Sequence, residues 1–249
     1  RARTRARARL PQPLGTAVSG PALFGFALDA PFPLRFARDG GGVERLTIRE
    51  GPANATPPES GFLVEWPLQG SEQEVIAGLY ERPGGFEYWT TDAGRFAVDV
   101  ERGVIEVPPM DDVILREQRL NGIPLALAYT ARGDIALHAA AVEIDGGAVL
   151  LAAPSRFGKT TLAMAFHAQD YAMLAEDLVA VRVGTREVLP GPAVIRLRAD
   201  VYSGSPPAGL EEVARRGERV FLSPPVGQRG SAAARRLKAI VFLREAESI

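Results

Sequence analysis

The chain has 249 residues, 46% hydrophobic and 24% charged, with a formal net charge of −1. Such a chain can bury a full core, as one large domain or two modest ones, and its near-neutral charge argues against a whole-protein field for nucleic acid or membrane. It has no cysteine, which excludes disulfides, thiolate-held zinc and thiol catalysis, and fits a reducing cytoplasm as the expected location. No apolar run approaches the roughly 20 residues of a membrane span. The basic arm RARTRARAR lacks the apolar segment of a secretory signal and reads as a solvated charge run.

From Leu10 to about Asp39, proline, glycine and phenylalanine recur without a period, so irregular structure with one short strand, Leu23–Leu28, is expected. Val43–Arg49 alternates as a strand does, and proline-rich Gly51–Gly61 reads as a loop. A meander follows: strands at Phe62–Trp66 and Val75–Glu81, a turn at Arg82–Gly85, then strands at Phe86–Thr90, Arg95–Val100 and Val104–Val107. Ser71-x-x-Glu74 also fits a capping box, so Ser71–Leu79 has a short helix as its second reading. No chemistry is evident in this part.

Pro108-Pro109 ends the pattern, and helices are expected at Asp111–Gln118 and Pro124–Tyr129, the second stopped by Gly133. The expected boundary lies near residue 110, with a β-rich N-terminal module over 1–110 and a second domain over 111–249, jointed by helices at 111–132. In that domain Ile135–Ile144 and Ala148–Ala153 read as a hairpin about Asp145-Gly146-Gly147. Tyr171–Ala175 and Leu178–Val183 form a strand region interrupted by Glu176-Asp177. Glu187–Arg198 reads as strand, proline-glycine turn and strand, Leu210–Arg216 as a short helix, and Val220–Leu222 and Leu237–Leu243 as strands.

The chemistry gathers between Leu137 and Val183. Ala153-Pro154-Ser155-Arg156-Phe157-Gly158-Lys159-Thr160 is one residue from the phosphate loop G-x-x-x-x-G-K-[ST], with Ala153 at the first glycine. An apolar strand enters it and a helical stretch, Thr161–Ala168, leaves it, so backbone N–H groups and a helix N-terminus can converge on an anion. Pro154 to Thr161 are the candidate nucleotide contacts: Ser155 adds a donor, Gly158 permits close approach, Lys159 supplies charge and Thr160 a hydroxyl for Mg²⁺. Alanine suits position 153 only if its φ is negative, as a residue before proline allows. The only lysines are Lys159 and Lys238, and a compact ammonium is what this loop position wants.

Phosphoryl transfer also needs carboxylates for the metal and, with an alcohol acceptor, a base. Glu176 and Asp177 fall at the next strand end. Neighbours on a strand face opposite ways, so one of them, Asp177, is favoured to enter the site. His138 lies on the strand before the hairpin; on residues alone a core histidine is its simpler reading. Arg196 and Arg198 alternate on a later strand and are candidates for an anionic substrate group or for solvent.

Taken together, these residues resemble the C-terminal domain of HPr kinase/phosphorylase, and still more the HPr-kinase-like proteins of lasso-peptide and other modified-peptide clusters. The resemblance covers Leu137 to about Arg198: Leu137-His138-x-x-x-Val142, the Asp145-Gly146 hairpin with Ser155–Thr160, and Glu176-Asp177. It implies an α/β fold, the mixed-sheet P-loop kinase core shared with phosphoenolpyruvate carboxykinases, behind a β-rich module. It also implies ATP and Mg²⁺ held by Lys159, Thr160, Glu176 and Asp177, with His138, Lys159 and Asp177 catalytic and Asp177 the base. The acceptor would be a serine of a peptide or protein, a lasso-type precursor above all, and a homo-oligomer is compatible. Glu176 stands where the family has a first aspartate, and the glycine-rich signature after the pair is not recognisable. Relatives continue beyond Leu243, so a further C-terminal segment is expected. A nucleotide- or phosphate-binding regulatory module and a small-molecule alcohol kinase are the alternatives.

Overall fold

The computed structural model describes residues 19–68, 74–155 and 157–244. The basic arm, Ser71 of the alternative capping box and Arg156 of the loop lie outside them. In chain order the described residues form β1 (Pro21–Leu23), β2 (Phe26–Asp29), β3 (Arg38–Asp39), β4 (Glu44–Glu50), β5 (Phe62–Pro67), β6 (Val75–Arg82), β7 (Gly85–Thr90), β8 (Gly94–Asp99) and β9 (Val104–Val107). Then come α1 (Val113–Leu120), α2 (Ile123–Ala131), β10 (Ile135–Ile144), β11 (Gly147–Ala152), α3 (Lys159–His167), β12 (Met173–Ala175) and β13 (Leu178–Arg182). The remainder are β14 (Glu187–Leu189), β15 (Ile195–Arg198), β16 (Glu211–Arg216), β17 (Arg219–Ser223) and β18 (Arg235–Phe242). No helix among the described residues is long and apolar enough to cross a membrane.

The chain divides into two compact units after Gly133, beyond both expected joint helices rather than near residue 110. In the first unit β5 to β9 form an antiparallel meander, and β4 joins β9 in parallel. Helices α1 and α2 belong here because α2 lies against β7 and β8, with Leu125 and Tyr129 buried. Asp112 caps α1 by accepting from the Leu115 N–H at 2.9 Å, satisfying one of the helix's free donors.

Among the described residues, the second unit takes 134–244 together with 19–28 and 32–44. Its main sheet is mixed. β10 pairs with β11 and β13, β11 with β18 in parallel, β18 with β14, and β14 with β13. These pairings close a ring of five strands around a small-residue core that includes Ala139, Ala141, Leu150, Val179 and Val188. Helix α3 covers the other face of β10 and β11, through Ala140, Val142, Leu151 and Ala163. A separate antiparallel sheet has the order β15-β17-β16.

Three expectations are corrected. The strand at 23–28 is a hairpin, β1 with β2, because Phe24 (φ 51°) and Gly25 (φ 80°) both turn left-handed. The two strands of 187–198 belong to different sheets. The chain between them is held elsewhere: Phe24 N–H donates to Pro190 O at 2.8 Å and Gly191 N–H to Leu174 O at 2.9 Å. The helix expected at 210–216 is strand β16, folded on β17 through Gly217 (φ 53°). A bulge between Glu212 and Ala214 resets the alternation, which hid the strand's two-residue period.

Candidate active site

Strand β11 delivers the chain to the loop, and α3 leaves it from Gly158, whose φ of 82° is the left-handed conformation glycine adopts without penalty. Ala153 is not among the residues with positive φ, so alanine is tolerated there. Pro154, Ser155, Phe157, Gly158 and Thr161 are exposed, whereas the Lys159 side chain turns inward and is buried. Its Nζ donates to the carbonyls of Ala153 at 2.8 Å and Pro154 at 3.0 Å. Hydrogen bonds to a charged group contribute about 1.5–3 kcal/mol, so Lys159 holds its own loop closed.

The acid pair follows the end of β12 at Ala175, as expected from sequence, and β13 resumes at Leu178. Ala175 pairs with Ala141 and Leu178 with His138, so β13 keeps the register of Ala175 along β10 past Glu176-Asp177, while a bulge at Ala141/Val142 offsets Met173. At the acid pair, Asp177 has φ 72° and Leu178 N–H donates to Glu176 O at 2.9 Å, a γ-turn of the positive-φ kind. A non-glycine residue held so costs on the order of 1–3 kcal/mol, strain that clusters at functional sites. The turn undoes the strand's alternation, and both carboxylates reach one guanidinium.

That guanidinium is Arg196. Its Nε donates to Glu176 Oε2 at 3.2 Å and its Nη2 to Asp177 Oδ2. The expectation that only one acid enters is therefore corrected: the pair acts as a unit. Glu176 also accepts from Thr160 Oγ1 at 3.0 Å, which links it to the phosphate loop. Asp177 is 38% exposed at its side chain, and its Oδ1 lies 3.1 Å from His138 Nδ1. The same ring nitrogen is 3.1 Å from Asp177 O. His138 is exposed, not a core histidine. An unbroken path thus runs from Thr160 through Glu176, Arg196 and Asp177 to His138.

Arg198 points to the same side of β15 as Arg196 but binds Asp200, at 2.9 Å from Nε, and stays out of the path. Sequence alternation put both arginines on one polar edge; it carried no signal for which one would meet the acids, since Glu176 and Asp177 lie about 20 residues away in a turn between two strands of another sheet. Lys238, the other lysine, is structural: it donates to Asp145 O at 2.9 Å and lies over Gly147.

Burial pushes the Glu176 carboxyl above its ordinary 4.5, with Asp177 adding to the rise and Arg196 and Thr160 opposing it. Arg196 is raised, since its two carboxylates outweigh its own burial. The fold therefore binds the Glu176 proton more tightly than the unfolded chain. This contribution to stability is complete below the ordinary glutamate value and lost as pH rises through the raised one. Thermal unfolding of Glu176→Gln followed from about pH 4 to pH 8 should show a flatter decline with pH than wild type. Parallel curves would contradict the assigned burial.

Among the described residues no three or more His, Asp or Glu side chains gather to hold a metal unaided. Mg²⁺ asks for less: one or two carboxylates, a hydroxyl, waters and substrate phosphates. Thr160 and Glu176, 3.0 Å apart, supply that donor set, with Asp177 beside them.

No described protein family matches the chain, and no curated protein matches it. Among solved structures, the Hpr(Ser) kinase/phosphatase from Coxiella burnetii is similar at 14% identity and a TM-score of 0.28. The match covers 43% of this chain and 64% of that one, less than two thirds of its length. The second unit itself is a mixed-sheet α/β fold carrying a strand–loop–helix turn beside a carboxylate pair bridged by arginine.

Proposed function

We propose that the protein is an ATP-dependent phosphotransferase that transfers the γ-phosphate to a serine hydroxyl of a peptide or protein, with a ribosomally made precursor of lasso type as the first candidate. The observation that carries this reading is the unbroken path from the phosphate-loop hydroxyl of Thr160 to the exposed carboxylate of Asp177. It joins a phosphate-holding element to a group able to take a proton.

In this reading the exposed loop backbone and the N-terminus of α3 receive the phosphates, and Lys159 exchanges its two carbonyl partners for their oxygens. Thr160 and Glu176 would hold a bound Mg²⁺, which would supply positive charge to offset what develops on the transferred phosphate. Asp177, which keeps lone pairs beyond those used by Arg196 and His138, accepts the serine proton as the oxygen bonds to the γ-phosphorus and ADP leaves. Arg196 keeps both carboxylates in one geometry, and His138 fixes the turn that presents Asp177.

Incubation with labelled ATP, Mg²⁺ and serine-containing precursor peptides, read by mass spectrometry, should yield a singly phosphorylated peptide. A second reading has its own support: Lys159, Glu176, Asp177 and Arg196 are all already satisfied by one another or by the loop. That suits a regulatory nucleotide-binding module. Nucleotide binding by calorimetry without transfer to any peptide or small alcohol would decide for it.

A further inference from the structure

The guanidinium of Arg38, far from the loop in sequence, is buried at 5% exposure, and among the described residues it hydrogen-bonds no carboxylate. Its donors go to backbone carbonyls: Nε to Gly191 O at 2.8 Å, Nη1 to Arg229 O, and Nη2 to Met173 O at 2.8 Å and Leu174 O at 3.1 Å. Burial, with Arg235 nearby, lowers its pKa to about 10, so it remains a cation at neutral pH. A buried charge satisfied only by carbonyls is an expensive arrangement when an apolar side chain could fill the space.

Three of the four carbonyls it takes stand out for their position. Met173 and Leu174 are the residues of β12 just before the Glu176-Asp177 turn. Gly191 lies in the segment that leads into β15 and Arg196. Gly191 N–H itself donates to Leu174 O at 2.9 Å, and a Cβ on Gly191 would lie 2.8 Å from Phe24 and 3.3 Å from Ala175. Ala193 N–H donates to Phe36 O at 2.8 Å. One guanidinium thus grips both chain segments whose next residues supply the carboxylates and the arginine between them.

We infer that Arg38 is a positioning residue of the candidate site, fixing the strand that ends in the acid-pair turn against the segment that carries Arg196. Its role rests on the phosphotransferase reading only in naming the step affected; the geometric part stands apart from it. A lysine at position 38 keeps the charge but offers one nitrogen in place of a fork, so it cannot span Gly191 and β12 together. Nothing in the contacts of Arg38 reaches the phosphate loop, so nucleotide affinity should be spared.

The test compares wild type, Arg38→Lys and a core control, Val98→Ala, which opens a cavity at a buried position of β8 in the first unit, away from these contacts. With only two histidines in the chain, His138 and His167, the ring resonances of His138 report the turn directly and those of His167 serve as an internal reference. Arg38→Lys is expected to bind ATP within about threefold of wild type, to lose at least tenfold in kcat per folded molecule with KM for ATP unchanged, and to move the His138 resonances but not those of His167. Val98→Ala should leave kcat per folded molecule and His138 in place. If Arg38→Lys only melts earlier, with His138 unmoved and kcat per folded molecule intact, Arg38 is a structural staple and the inference is wrong. Should wild type transfer no phosphate at all, the phosphotransferase reading fails, while the His138 shift still decides whether Arg38 sets the turn.

Discussion

Lys159→Ala is expected to lower phosphotransfer about a hundred- to a thousandfold, the scale set by removing one preorganised charge from a transition state. Two effects add. The ammonium that would neutralise the phosphates is gone, and the carbonyls of Ala153 and Pro154 lose the donor that holds the loop. ATP affinity should fall as well, since the loop is no longer shaped for it. Lys159→Arg separates the two effects: charge is kept, but a planar fork in a buried slot sized for an ammonium cannot restore the geometry, so most of the loss should remain. Turnover by ADP release, with nucleotide affinity by calorimetry, measures both. Full activity in Lys159→Ala would remove the loop from the mechanism.

Asp177→Asn is the second large effect. The amide cannot take a proton, so kcat should drop about a hundred- to ten-thousandfold, the range for a positioned general base. Asparagine is among the few side chains that accept positive φ, so the γ-turn should persist and ATP should still bind. Hence kcat falls while KM for nucleotide stays near wild type. The amide also forfeits its charge toward Arg196, leaving Glu176 as that arginine's remaining carboxylate. Thermal unfolding should therefore drop, but modestly, because a partly exposed ion pair contributes about 1 kcal/mol or less. Wild-type transfer by this variant would assign the proton to another group.

The region from Ile135 to His167 could be read almost residue by residue. Its hairpin, loop and helix are local objects: Asp145-Gly146 sets the turn, Gly158 permits the left-handed step, and apolar spacing sets β10, β11 and α3. The strands of the meander were legible for the same reason, since alternation and glycine turns act within a few residues. The reading failed at β16, where one bulged residue put the period out of step, and at 187–198, where a proline-glycine segment passes to another sheet instead of folding back.

By itself, the sequence determined which residue types would stand near one another along the chain: a phosphate-type loop with Lys159 and Thr160, a histidine one strand before it and an acid pair one strand after. Only the tertiary structure decided how they meet. The γ-turn at Asp177 makes two neighbouring carboxylates converge, Arg196 joins them from another sheet, and Arg38 grips Leu174 across 136 positions of chain. The physical reason is range. Turn and helix preferences are settled by neighbours within a few residues, whereas a strained dihedral or a buried cation persists only where distant groups supply the contacts that outweigh its cost.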